Sequence, residues 1–213
     1  MPRIDLNRDA FLAIDVQSDF CASGALAVPD GDAVVAPIND LIARFTHVVA
    51  TQDWHPVDHA SFAANHAGAA PFSKISMPYG EQTLWPSHCV QGTAGAAFHP
   101  KFAFDRATAI IRKGWRRDVD SYSAFFENDR VTPTGLGGLL RERGVARVFL
   151  AGLATDFCVS FSALDARRLG FEAFVVLDAC RAIDLDGSRA SALAAWEKAG
   201  VAVVTAADIE DAR

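Results

Sequence analysis

Cys158 follows the apolar run Arg147 to Ala154 and a Thr155-Asp156 pair that reads as a helix start. Its thiol therefore falls in the first turn of a helix running to about Leu169, where unpaired N–H groups and the positive dipole end favour a thiolate. A free cysteine is as readily a small buried hydrophobe, so position alone leaves reactivity and packing open. Three more polar groups end apolar runs: Asp15, Asp53 with His55, and Lys113. Taken singly, an aspartate at a strand end is commonly a turn or cap, and a lysine beside Gly114 is commonly solvated. Taken together they supply a nucleophile, a carboxylate and a cation at one sheet edge. The chemistry that set can run is acyl transfer through a thioester. Asp15 would act as general base, first for the thiol and later for water. Lys113 would stabilise the charged forms of Asp15 and the sulfur. Backbone N–H groups of Ala154 and Cys158 suit an oxyanion hole. No histidine sits in the right context for a cysteine–histidine pair.

A second constellation is Asp53-Trp54-His55 with His88, in Trp85-Pro86-Ser87-His88-Cys89. One carboxylate and two imidazoles suit one divalent metal ion, Zn²⁺ first, with Fe²⁺ and Mn²⁺ as alternatives, and leave positions open for water or substrate. An Asp–His hydrogen-bonded turn explains the same spacing equally well. His59 is either a further ligand or a hydrogen-bonding group in the pocket. His47, His66 and His99 read as ordinary loop or strand-end histidines. Five aromatics, Phe20, Trp54, Trp85, Tyr122 and Phe157, fall near the same polar groups and suit a pocket for a flat ring.

These side chains need a scaffold that brings strand ends together. Short, non-alternating apolar runs at Ala10–Asp15, Val48–Gln52, Ala109–Arg112, Val148–Leu153, Glu172–Leu177 and Val201–Thr205 read as strands buried on both faces. Helical patterns at Asp32–Phe45, Gly135–Arg143, Asp156–Leu169 and Ser188–Ala199 alternate with them. The expected fold is α/β: three α/β/α layers around a mostly parallel, six-stranded, Rossmann-like sheet, in one domain over residues 1–213. Ligands of such sheets bind beyond the carboxyl ends of the strands. Asp53 to Arg106 lacks periodicity and forms a long insertion after the second strand, with a short helix expected at Val57–Asn65. Loops that long are usually functional.

Composition narrows the partners. A net charge of −6 without a basic run argues against nucleic acid and anionic membranes. No apolar stretch approaches the roughly 20 residues of a membrane helix. The charged N-terminus, leading straight into a strand, does not read as a signal peptide. Four scattered cysteines, with no Cys-x-x-Cys pair, suggest reduced thiols in a cytoplasmic protein. The oligomeric state stays open, a homo-oligomer included.

With these residues in view, the chain resembles the isochorismatase-like cysteine hydrolases, and within them the nicotinamidases (pyrazinamidases). The resemblance rests on Asp15-Val16-Gln17-Ser18-Asp19-Phe20, on Gln52 to His59 followed by Ser61-Phe62, and on Leu84 to Thr93. It continues through Lys113-Gly114, Asp118 to Phe125, and Gly152 to Val159. It implies hydrolysis of nicotinamide, and of pyrazinamide, in NAD salvage. It further implies a triad of Asp15, Lys113 and Cys158, metal ligands Asp53, His55 and His88, and a cis peptide at Leu153–Ala154. The ring is expected between Phe20 and Trp85, with its nitrogen at the metal. Ser18 departs from the asparagine common at that position of the family. Competing readings are a relative acting on another amide or enol ether, and a non-catalytic ring-binding module.

Overall fold

The computed structural model describes residues 1–212. Eight strands form in chain order: β1 (Asp9–Ile14), β2 (His47–Asp53), β3 (Lys74–Met77), β4 (Gly80–Thr83), β5 (Ala109–Lys113), β6 (Arg147–Leu153), β7 (Glu172–Arg181) and β8 (Ala202–Val204). The main helices are α1 (Val35–Ile42), α2 (Leu136–Glu142), α3 (Ser160–Arg168) and α4 (Ser188–Ala199). Six strands make an all-parallel sheet in the order β5-β2-β1-β6-β7-β8. The chain steps from β1 to β2 in one direction and from β6 to β8 in the other. Right-handed crossovers then place α1 on one face and α3 and α4 on the opposite face. The reversal at β1 opens a crevice beyond the strand ends.

The central strands β1 and β6 are wholly apolar in their interiors and buried along almost their whole length. Packing is tightest where they meet: a Cβ at Gly152 would lie 2.1 Å from the Ile14 carbonyl oxygen, and its φ of 132° suits glycine alone. Strand β7 runs four residues beyond the expected Leu177, because an irregularity opposite Leu150 and Gly152 takes up extra residues and pairing resumes at Cys180 and Arg181.

Three other differences from the sequence reading concern local structure. No helix forms at Val57–Asn65; only a 3₁₀ turn at Ala63–Asn65 does. The backbone there pairs elsewhere, the Trp85 N–H donating to Ser61 and the Ala63 N–H to Trp85. The insertion instead contains the β3–β4 hairpin, whose two-residue turn is Pro78-Tyr79. Finally, Cys158 lies in a single π turn, Thr155–Val159, ahead of α3 rather than in an α-helix.

Candidate active site

Four adjacent strands deliver the polar groups. Lys113 ends β5, Asp53 ends β2, Asp15 follows β1, and Cys158 follows β6. Asp53 and Lys113 are register partners, so neighbouring parallel strands bring their side chains together. Asp15 has a φ of 48°, which turns the chain sharply off the end of β1. Thr51 on β2 fixes it, accepting from the Asp15 N–H at 3.1 Å and donating to Oδ1 at 2.6 Å.

Lys113 is the hub. Its Nζ lies 2.8 Å from Asp15 Oδ2, 2.5 Å from Asp53 Oδ1, 2.9 Å from the Ser121 carbonyl and 3.4 Å from Cys158 Sγ. Its approach to Asp15 Oδ2 is an ionic contact without hydrogen-bond alignment, and that oxygen has no hydrogen-bond partner among the described residues. One carboxylate oxygen of Asp15 lies within 4.8 Å of Cys158 Sγ. A carboxylate oxygen of Asp15 therefore stands near the thiol.

All three groups are fully or almost fully buried. Burial would strip the Lys113 proton, but the Asp15 and Asp53 carboxylates outweigh it and hold the ammonium well above its ordinary range. Burial pushes the Asp15 carboxyl up against the pull of Lys113, which makes it a better proton acceptor. Burial also pushes the Cys158 thiol well above its usual value, Lys113 opposing only in part. Burial thus works against the helix-terminus expectation and favours the thiol form of the resting sulfur. Its proton must be removed as it reacts, not before.

Beside this set, ligand atoms of Asp53, His55 and His88 lie within 4.8 Å of one another. His55 Nδ1 is 2.8 Å from the Gly114 carbonyl, and His88 Nδ1 is 2.8 Å from the Pro86 carbonyl. Carbonyls only accept, so both Nδ1 atoms carry protons and both Nε2 atoms are left for an ion. Asp53 gives Oδ1 to Lys113 and keeps Oδ2 on the His55 side. Burial and the neighbouring His55 lower the His88 pKa to about 4, so His88 is neutral at physiological pH. Burial by itself would raise the Asp53 pKa, but Lys113 and His55 drive it far below the usual carboxylate range. A buried carboxylate with two oriented imidazoles fits a divalent ion. His59 stays out of this set: Ser61 engages its Nδ1, and its Nε2 faces the Val119 carbonyl. Gln17 supports the centre from behind, donating to the Asp53 carbonyl and accepting from the Asp53 N–H.

One cavity joins the two groups. Phe20, Asp53, Trp85, His88, Tyr122, Ala154, Phe157 and Cys158 line it, along with Leu26, Asp120 and Ile183. Phe20, Trp85, Tyr122 and Phe157 lie on its wall, and the peptide before Ala154 is cis. Trp54 is not on the wall; it stacks under the Arg112 guanidinium at 3.9 Å. Gln82, on the unforeseen hairpin, donates to Asp120 at 2.8 Å and to Tyr122 Oη at 3.1 Å, while the Trp85 indole donates to the same Oη at 3.0 Å. These bonds stiffen the aromatic wall. Sequence reading missed Leu26, Ile183 and Gln82 because apolar loop residues and a hairpin glutamine carry no chemical signature of their own.

The chain matches the profile of the isochorismatase domain over residues 9–208. It is 52% identical over 182 residues to a nicotinamidase of Acinetobacter baylyi, covering 85% of each chain. A solved structure of an Acinetobacter baumanii nicotinamidase/pyrazinamidase superposes with a TM-score of 0.94 at 49% identity, covering 95% of this chain and 98% of that one. A Pyrococcus horikoshii pyrazinamidase in complex with zinc superposes at 0.76 with 35% identity, covering 93% and 99%. With the domain match spanning nearly the whole chain and the sheet edge built as described, this protein belongs to the isochorismatase family.

Proposed function

We propose that this protein is a nicotinamidase, an amidohydrolase that converts nicotinamide to nicotinate and ammonia and acts on pyrazinamide as well. The observation that carries the reading is the shared cavity, in which a buried thiol, Cys158, and two candidate metal ligands, Asp53 and His88, face one aromatic-walled space, with Lys113 and Asp15 beside the thiol and His55 beside the ligand pair. Similarity to the Acinetobacter nicotinamidases supports the choice of substrate.

Cys158 Sγ attacks the amide carbonyl carbon as its proton passes to Asp15. Lys113, charged throughout, holds both groups and limits the cost of a transient thiolate in a buried site. Negative charge on the carbonyl oxygen is met by the N–H groups of Ala154 and Cys158, both on the cavity wall. The C–N bond then breaks, and Asp15 returns the proton to the leaving ammonia. Water attacks the thioester, Asp15 takes its proton, the C–S bond breaks, and the thiol is restored. Asp53, His55 and His88 would hold one divalent ion, zinc by this donor set, which supplies a Lewis-acid anchor for the ring nitrogen. Phe20 and Trp85 sandwich the ring, with Tyr122 and Phe157 closing its edge.

Ammonia release from nicotinamide tests this reading directly. Wild type should turn over and Cys158→Ala should not, while the variant keeps its metal. Undiminished turnover by the variant would exclude the covalent route.

A further inference from the structure

The cavity that meets Cys158 has a free volume of about 20 Å³. That is room for roughly one water and not for an aromatic ring. Some part of the wall must give for a substrate to enter. The aromatic side is cross-linked through Gln82, Tyr122 and Trp85, and the polar side is the chemistry itself. Phe157 is half-buried and also borders an outer cavity, but it packs edge-on against Trp85 and Tyr122, whereas Ile183 sits on the loop that follows β7. Ile183 is half-buried, and it also lines a separate outer cavity of about 390 Å³ with Pro29, Thr155 and Arg189. It thus borders both the reaction space and an outer cavity.

The segment that carries Ile183 is conformationally loaded. Asp184 (φ 56°), Asp186 (φ 52°) and Gly187 (φ 80°) are all left-handed, and two of them are not glycine. What holds it is Asp156, two residues before the nucleophile. Its Oδ1 accepts from the Ile183 N–H at 3.1 Å, and its Oδ2 accepts from the Asp184 N–H at 2.7 Å and from the Ser188 hydroxyl. Asp156 is itself buried. A single carboxylate therefore ties the segment's start, Ile183 and Asp184, and its end, Ser188, to the turn that bears Cys158.

We infer that Asp156 is a positioning residue that latches the Ala182–Ser188 segment, so that Ile183 acts as the gate through which the ring reaches Cys158. The latch deepens the nicotinamidase reading and rests on it for the identity of the ring. The gate itself is readable without any substrate, from the access of reagents to the thiol.

Asp156→Asn is the first test. It keeps the shape and one acceptor oxygen, but turns an amide NH₂ toward the Asp184 N–H, so that anchor is lost. Cys158 is alkylated with iodoacetamide and with a bulky N-aryl maleimide, and mass spectrometry assigns the adduct to Cys158 rather than Cys21, Cys89 or Cys180. The bulky-to-small rate ratio should rise about ten-fold, the low end for loss of a charge-assisted buried hydrogen bond. Ser188→Ala, which removes one donor from the edge of the same latch, should move the ratio in the same direction by less. With nicotinamide, KM should rise while kcat changes little. In an Ile183→Ala background the Asp156→Asn change should have no further effect on the ratio, since the gate is already gone. An unchanged ratio in Ser188→Ala and in any folded Asp156→Asn protein overturns the latch, as does an equal effect of Asp156→Asn with and without Ile183. If wild type alkylates as expected but releases no ammonia from nicotinamide, the substrate reading fails and the latch stands.

Discussion

Gly114→Ala offers a sharp test of how the sheet edge builds the metal centre. Gly114 follows β5 with a φ of 62°, and its carbonyl accepts from His55 Nδ1. A Cβ there would sit 2.4 Å from His55 Cε1 and 2.6 Å from Nδ1. Ordinary contact begins at 3.4 Å, so the ring must retreat by about 1 Å. The left-handed backbone costs about 1 kcal/mol in alanine, and crowding of a buried ring adds about 1–3 kcal/mol. The ligand's outer hydrogen bond is strained at the same time, a change that typically costs about 10- to 100-fold in metal affinity. Zinc affinity by chelator competition, paired with urea unfolding of metal-free protein, reads the two effects separately. Should the folded variant bind zinc as tightly as wild type, Gly114 does not orient His55 and the account of the ligand shell is wrong.

Two further perturbations probe the buried charges. Lys113→Met leaves the Asp15 and Asp53 carboxylates facing one another without a cation, so metal-free protein should lose about 3–5 kcal/mol of stability at neutral pH. The deficit should shrink on acidification as a carboxylate protonates; equal stability of the two proteins in urea at neutral pH would sink the hub assignment. His88 tests the pH dependence. Its folded pKa, near 4, lies below the 6.5 of an exposed histidine, so the unfolded chain takes up the proton first as pH falls. Its contribution is complete above pH 6.5 and is lost progressively toward pH 4, by up to about 3 kcal/mol. Metal-free wild type should therefore lose stability on acidification faster than His88→Asn across that window, and parallel urea midpoints would refute the assignment.

Much of this protein follows from sequence by local physics. Strands buried on both faces read as unbroken apolar runs, which is why the pattern of such runs marks all six strands of the main sheet. Asp15, Asp53, Lys113 and Cys158 stood out because each is a chemically competent group at the end of such a run. The insertion was less legible. Its backbone pairs with distant residues, as Ser61 and Ala63 do with Trp85, and local periodicity carries no record of such partners.

The tertiary structure decided what no window of sequence contains. The order β5-β2-β1-β6 makes one lysine touch two carboxylates and a thiol from three different strand ends. Trp54 left the pocket for Arg112, and Leu26 and Ile183 entered it, because a wall is defined by what faces inward after folding. The environment of Cys158 also differs from the local reading. Its place at a helix start argues for a thiolate, whereas burial, which depends on every group packed around the sulfur, raises the thiol pKa and Lys113 opposes it only in part. The sequence determined which residues could react; the packing of the sheet edge determined which of them meet and in what charge state.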